Sequence, residues 1–233
     1  MKWPGPIVSA RFLKRYKRFF ADFETEDGRQ LTAHCPNTGS MATCYLENAP
    51  CLLTHHDDPK RKLAYTWQAI EMPDGWTGIN TNLANHLCRE AIENGLVHQL
   101  GGYESIQREQ KYGTNSRIDL LLNTSQGPSC YVEVKNVTLL LEPGVAAFPD
   151  AVTNRGTKHL HELTAILETG QRAVLFFCVQ RDSVNEVRPA EAYDPEYARV
   201  LRNSVERGLE VFAYRAHFDS SGVSLDRELP VVL

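Results

Sequence analysis

The chain has 233 residues and a mass of 26.3 kDa, enough for one large domain or two small ones. Its 42% hydrophobic and 23% charged content exclude a disordered chain, a collagen-like repeat and a coiled coil, and no apolar run nears the ~18 residues of a membrane span. The formal net charge of −4 excludes a uniformly basic, passive nucleic-acid coat. The charge is uneven, however. Residues 1–80 carry ten Lys/Arg against nine Asp/Glu, whereas residues 81–233 carry fifteen against twenty. The start, Met-Lys-Trp-Pro-Gly-Pro, has no apolar core of a secretory signal. The six cysteines, at 35, 44, 51, 88, 130 and 178, form no CxxC pair, which suits reduced thiols in a cytoplasmic protein.

The first ~80 residues read as short strands without helices. Ile7 to Leu13 is the first apolar run. Phe19 to Glu24 and Leu31 to Cys35 flank the turn Glu26-Asp27-Gly28. Met41 to Leu46, Pro50 to His55 and Leu63 to Glu71 follow as strands, and Pro73-Asp74-Gly75 marks a break. Such a series predicts a small barrel, closed to avoid exposed edges. Beyond it, helices and strands alternate. A helix from Asn82 to Asn94 is predicted behind Thr81 as N-cap and ahead of Gly95. Strands follow at Tyr103 to Glu109, Arg117 to Leu122 and Cys130 to Val137, the last two joined by a polar loop. A second helix spans Arg155 to Glu168, and Arg172 to Gln180 is apolar enough to be a strand buried on both faces. Asp194-Pro195 opens a third helix, closed by Gly208, and strands at Leu209 to Phe218 and Val223 to Leu229 complete an α/β domain.

Two of these strands carry charge where core residues are expected. Asp119 interrupts an apolar run. In Cys130 to Val137, Glu133 and Lys135 share one face because strand side chains alternate. Unpaired buried charge is costly, so these groups pair with each other or face a site. Two carboxylates offer hard oxygen ligands to Mg²⁺ or Mn²⁺, and a neighbouring lysine can steady charge on a phosphate. The alternative is an ion pair of Lys135 with Asp119 or Glu133. Glu-x-Lys recurs at Glu109-Gln110-Lys111, in a polar stretch, so context distinguishes the copies. On the first helix, Glu90 sits at the margin of the apolar arc, either within reach of the strand site or solvated. On the second, His159 lies on the apolar face, as a core histidine or beside a bound phosphate. Arg155 and Lys158 are candidate phosphate contacts, and Asp150 is a candidate outer metal partner or cap.

Near the N-terminus, Arg11, Lys14, Arg15, Lys17 and Arg18 interleave with Phe12, Tyr16, Phe19 and Phe20. Cations neutralise phosphates and rings stack bases, although the same string also describes a barrel strand with solvated cations. Asn37-Thr38-Gly39-Ser40 is a polar turn able to offer backbone N–H groups to an anion. The Cys and His residues of the first 60 positions lack the spacing of a zinc module. No Walker A, GxGxxG or GxSxG motif is present.

The strings Lys14-Arg15-Tyr16-Lys17-Arg18-Phe19 and His34-Cys35-Pro36-Asn37-Thr38-Gly39-Ser40-Met41 carry a family resemblance. So do Ser116-Arg117-Ile118-Asp119, Tyr131-Val132-Glu133-Val134-Lys135-Asn136-Val137-Thr138 and Phe148-Pro149-Asp150-Ala151-Val152-Thr153. Over essentially its whole length, the sequence resembles the sugar fermentation stimulation protein A family of bacteria and archaea. The resemblance implies an α+β two-domain chain. An OB-like barrel for nucleic-acid binding would occupy residues 1–80, and a PD-(D/E)xK nuclease-like α/β domain residues 81–233. It implies Asp119, Glu133 and Lys135 as the nuclease signature, with Glu90 as the helix glutamate and Asp119 and Glu133 as metal ligands. It implies binding of DNA without strong sequence preference, single-stranded nucleic acid being a further ligand class, and a regulatory role in sugar (maltose) metabolism. Whether such a chain cuts DNA or only binds it stays open on this reading. No residue pattern points to a sugar or other small-molecule site.

Overall fold

The structure, a computed structural model, describes residues 1–113 and 116–233. Its first six strands are β1 (Ile7–Tyr16), β2 (Phe20–Thr25), β3 (Gln30–His34), β4 (Pro50–His55), β5 (Tyr65–Met72) and β6 (Gly75–Gly78). They run in the order β3-β2-β1-β4-β5-β6, and a parallel contact of β3 with β5, Ala33 opposite Tyr65, closes the first five into a barrel. Alternation along each strand sends Ala10, Phe12, Ala21, Phe23, Leu53 and Trp67 inward. Trp67 is fully buried and stacks on Phe12, with ring centroids 5.1 Å apart. The rings form the centre of the core, and removing one would open a large cavity.

Two expectations fail here. Met41 to Leu46 is a run of turns, not a strand, and Met41 has a left-handed backbone (φ 54°). Its side chain, with that of Cys44, still fills the barrel core. Burial selected apolar residues there without requiring extended backbone. The break at Pro73 to Gly75 is a hairpin turn that starts β6, with Met72 opposite Gly75. Gly75 has φ 134°, a backbone conformation that requires glycine, and a Cβ on it would lie 2.2 Å from Asp182 Oδ1 and displace that carboxylate.

A 3₁₀ turn, Thr81–Leu83, capped by Asn80 rather than Thr81, leads into α1 (Ala84–Glu93). The remaining elements are β7 (Ser105–Tyr112), β8 (Ser116–Asn123), β9 (Cys130–Val137), β10 (Leu139–Glu142), β11 (Val145–Phe148), α2 (Asn154–Leu167), β12 (Arg172–Val179), β13 (Glu186–Pro189), α3 (Pro195–Glu206), β14 (Glu210–Phe218) and β15 (Val223–Leu229). The main sheet has the order β15-β14-β12-β9-β8-β7, with β9, β12 and β14 parallel and the outer pairs antiparallel. Leu87, Cys88 and Ala91 of α1 cover one face, against Leu120, Val132 and Phe176. Leu160 and Leu163 of α2, with Tyr197 and Leu201 of α3, cover the other, against Leu175 and Phe177. With helices on both faces, β12 is buried from Ala173 to Val179, as its apolar run requires. Asp194 anchors both helix starts there: its carboxylate accepts from Tyr197 N at 2.9 Å and Thr153 N at 2.8 Å. The small sheet β10-β11-β13 was not expected, because its parallel β11–β13 pairing joins segments forty residues apart.

The barrel is locked to the α/β domain. Gly78 N donates to Gln180 O at 2.8 Å and Asp182 N to Trp76 O at 3.1 Å, so β6 pairs with the chain leaving β12. Between these bonds Arg181, only 1% exposed, grips Asp74 through Nε (2.8 Å) and Nη2 (2.6 Å). Its Nη1 donates to Thr43 O at 2.9 Å and Thr138 O at 3.3 Å. One guanidinium thus gathers the Met41 to Leu46 turns, the β5–β6 hairpin and the β9–β10 junction. All six cysteines are buried and unpaired as disulfides. Among the described residues no helix is long and apolar enough to cross a membrane.

Candidate active site

β8 and β9 pair only from Leu120 to Leu122, opposite Val132 to Cys130. Beyond that point they part, and the Asp119 side chain occupies the gap. Its Oδ2 accepts from Val134 N at 2.8 Å, in place of a strand carbonyl, and its Oδ1 accepts from Asn85 Nδ2 at 2.8 Å. Glu133, on the neighbouring strand, is 3% exposed. Its Oε1 takes the Lys135 ammonium at 2.6 Å and a close contact from His159 Nδ1, whereas its Oε2 is buried without a partner. Arg155 Nε lies 3.4 Å from His159 Nε2. Arg155 donating there leaves His159 Nδ1 facing Glu133 Oε1, with Lys135 Nζ 3.1 Å from the same nitrogen. The residues Asp119, Glu133, Lys135, His159 and Arg155 are therefore brought together, and the alternative of a Lys135–Glu133 ion pair is present as well.

Electrostatics separate the two carboxylates. Burial, and then the charge of Glu133, push Asp119 up to about 6, against the opposing hydrogen bonds of Val134 N and Asn85. Glu133 is also buried, but the hydrogen bond from His159 and the charge of Lys135 outweigh that and hold it below the usual carboxylate range. The pair lies in a cleft of about 540 Å³ whose lining includes Ser116, Arg117, Asn154, Arg155 and Lys158. The cleft has Asp119 and Glu133 at its floor, and Arg117, Arg155 and Lys158 at its mouth beside Glu109. Lys158 reaches Ser116 Oγ at 3.2 Å and Glu162 at 3.5 Å. Tyr112 stands behind, its buried hydroxyl pushed up by burial and by Glu133, Glu162 and Asp119.

Glu90 is not part of this cluster. Its carboxylate binds the Met1 ammonium at 2.8 Å, on a flank where Lys2 bridges to Gly222. Asn85, on the same helix, occupies the place expected of it. Asp150 also lies outside the cleft: its Oδ2 accepts from Ser40 N at 3.1 Å and Ser40 Oγ at 2.9 Å, so the polar turn at Asn37 to Ser40 presents its N–H to a carboxylate of the other domain. The cap of α2 is Thr153, which accepts from Gly156 N at 3.0 Å. Glu109, in the second Glu-x-Lys copy, has a left-handed backbone (φ 53°) at the cleft edge, on a strand whose register with β8 is unbroken. Reading the sequence missed Asn85, Arg117, Ser116 and Tyr112. Ser116 and Arg117 lie three and two residues before Asp119 on the same strand, and Asn85 was a polar residue at the edge of the apolar arc.

In the basic segment, Arg11, Lys14, Lys17 and Arg18 are exposed. Lys14 reaches Asp22 at 3.6 Å, and Tyr16 stacks on Phe20 while its hydroxyl donates to Asp22 at 3.2 Å. Arg15 braces the barrel, donating to Asn37 O at 2.9 Å and Gly39 O at 3.3 Å. That brace, the Ser40–Asp150 contact and the start of α2 form a continuous link from the basic hairpin to the cleft.

The donor set fits a divalent cation. Burial, and then the repulsion between the two carboxylates, raise Asp119, and one oxygen of Glu133 has no partner. Among the described residues no group of three or more His, Cys, Asp or Glu is arranged around a metal position. Two protein ligands match a cation that keeps most of its waters.

Comparison with known proteins accords with this architecture. Residues 13–79 match the family model described as the SfsA N-terminal OB domain, and residues 82–222 match the sugar fermentation stimulation protein RE domain. The sugar fermentation stimulation protein homolog of Geotalea uraniireducens is 52% identical over 232 residues, covering 99% of both chains. The homolog of Geobacter sulfurreducens is 52% identical over 231 residues, covering 98% of this chain and 97% of its own. The solved structure of Pyrococcus furiosus SfsA in complex with Ca²⁺ superposes with a TM-score of 0.88 at 29% identity, over 100% of this chain and 98% of that one. With an OB barrel followed by an α/β domain that matches the RE-domain model, and matched by relatives along its full length, the chain belongs to the sugar fermentation stimulation protein family.

Proposed function

We propose that the chain binds DNA, without strong sequence preference, and hydrolyses its phosphodiester bonds at the β8–β9 cleft with Mg²⁺ or Mn²⁺. The observation that carries this reading is the pairing of half-buried Asp119 with buried Glu133, one Glu133 oxygen unpartnered, beside Lys135 and beneath Arg117, Arg155 and Lys158. Asp119 and Glu133 would hold the cation, which when bound neutralises phosphate charge and acidifies a water. The Pyrococcus furiosus relative was solved in complex with Ca²⁺, a hard ion that takes oxygen ligands, which supports the use of a divalent cation. Asn85 fixes the Asp119 carboxylate through Oδ1. His159 holds Glu133 through its Nδ1 contact. Lys135 directs its ammonium to the same side and steadies charge developing on the phosphate. Arg117, Arg155 and Lys158 bind backbone phosphates, which positions a strand without reading its sequence. The barrel adds the exposed cations of its first hairpin. The test is incubation of the purified protein with single- and double-stranded DNA and RNA in Mg²⁺ or Mn²⁺. Cleavage is expected from the wild type and not from Asp119→Asn or Glu133→Gln; cleavage surviving in both variants refutes the site.

A second reading rests on the double engagement of Glu133 by Lys135 and His159. There the chain is a cytoplasmic DNA-binding regulator of sugar (maltose) metabolism that keeps the fold without cutting. Salt-dependent DNA binding with no cleavage in either metal favours it.

A further inference from the structure

Away from the cleft, the barrel holds a second concave surface that the proposed chemistry does not use. Phe19, Phe20 and His34 line it on one side and Arg61, Lys62 and Leu63 on the other, around a space of about 270 Å³. The β1–β2 turn sets it up. Tyr16 pairs with Phe20, and the intervening Lys17 and Arg18 both take left-handed backbone, with φ 48° and 62°. Such a conformation is uncommon for residues with long side chains. Its effect is to turn Phe19 outward, leaving it 47% exposed. The Phe19 ring lies nearly parallel to the His34 imidazole, with centroids 6.5 Å apart and planes 11° from parallel. Burial, and then the charge of Arg61, hold His34 below the usual imidazole range. It is therefore neutral at pH 7, offering a flat face and a polar edge.

We infer that this pocket takes an unpaired nucleobase, stacked on the Phe19–His34 platform, with the flanking phosphates held by Arg61 and Lys62. A lone exposed phenylalanine needs no explanation. Here the exposed ring is aligned with a second ring, sits over the apolar surface of Phe20 and Leu63, and is flanked by cations with no carboxylate in the lining. An aromatic face for the base and cations for its phosphates form the general pattern of single-strand binding. The pocket is assembled from the β1–β2 turn, β2, β3 and the β4–β5 loop, the region with which closed barrels of this topology engage oligonucleotides. In a duplex the base faces are already stacked on one another and cannot enter. The pocket thus selects single-stranded or locally opened nucleic acid. This deepens the nucleic-acid-binding reading above and rests on it.

The test compares the wild type, Phe19→Leu and Phe19→Trp by fluorescence anisotropy with a labelled oligothymidylate and with a duplex of equal length. Phe19→Leu is expected to weaken single-strand binding about tenfold while changing duplex binding by less than about twofold, and Phe19→Trp to restore it. The side chain is exposed, so circular dichroism should show all three proteins equally folded. Single-strand affinity unchanged in Phe19→Leu, or an equal loss on strand and duplex, overturns the pocket while leaving DNA binding in place. Absence of binding by the wild type to either ligand overturns both.

Discussion

Asp119→Asn should stabilise the protein at neutral pH while abolishing its chemistry. In the folded chain Asp119 is raised from 3.8 to about 6, first by burial and then by the charge of Glu133. The folded state therefore holds this proton more tightly than the unfolded state does. At pH 8 the carboxylate is ionised in both states, and the folded state carries the cost of its burial. As pH falls through 6 and then through 4, that cost is relieved, so this residue's contribution to stability rises on acidification. A difference of roughly two pKa units corresponds to about 3 kcal/mol. Asparagine removes the charge and keeps most of the geometry. Its Oδ1 can accept from Val134 N, and its Nδ2 can face Asn85 once that amide turns over. Imperfect hydrogen bonds at the two contacts would offset about 1 kcal/mol, leaving a gain of about 2 kcal/mol at pH 8. The measurement is urea denaturation of wild type and variant in EDTA at pH 8 and at pH 4. The gain should shrink to near zero, or reverse, at the lower pH. A variant less stable than wild type at pH 8, or a difference independent of pH, would refute the electrostatic account of the site.

Other substitutions probe neighbouring parts. Glu133→Gln should reduce cleavage at least about a hundredfold with DNA affinity retained, measured by turnover and anisotropy in parallel. Glu90→Gln should leave cleavage unchanged and cost less than about 1 kcal/mol, because its partly exposed contact with the N-terminus is remote from the cleft. Arg181→Leu should cost about 3 kcal/mol in urea denaturation, the lower end for a broken buried pair, since Asp74 is 29% exposed and can hydrate. Replacing Lys17 and Arg18 by Gln should flatten the dependence of log affinity on log salt by up to about two, one for each phosphate left without its cation.

The site was legible where charge contradicted its surroundings. Asp119, Glu133 and Lys135 stood out because apolar strands have no ordinary use for them, and His159 because it sat on a buried helix face. The Glu90 expectation failed for a geometric reason. Asn85 and Glu90 are five residues apart, about 140° around the helix, so they flank the same apolar arc on opposite sides. The arc shows which face is buried but not which of its edges meets the divergent strands. Strands expected from local alternation were mostly found, and β12 is as buried as its composition suggested. What could not be read depends on distant partners: the β11–β13 pairing, the turns that place Met41 in the barrel core, and the arginine that joins the domains.

That arginine has a consequence for how the molecule would handle a polymer. Because Arg181, the β6 pairing and the Ser40–Asp150 contact tie barrel to cleft at several points, the interval between the two is a property of the fold. The protein is then a caliper rather than a pair of beads on a string. On the proposed function, a strand seated at the barrel would arrive at the cleft after a set number of nucleotides, and loosening the tie at Asp74 would broaden that spacing before it weakened the grip.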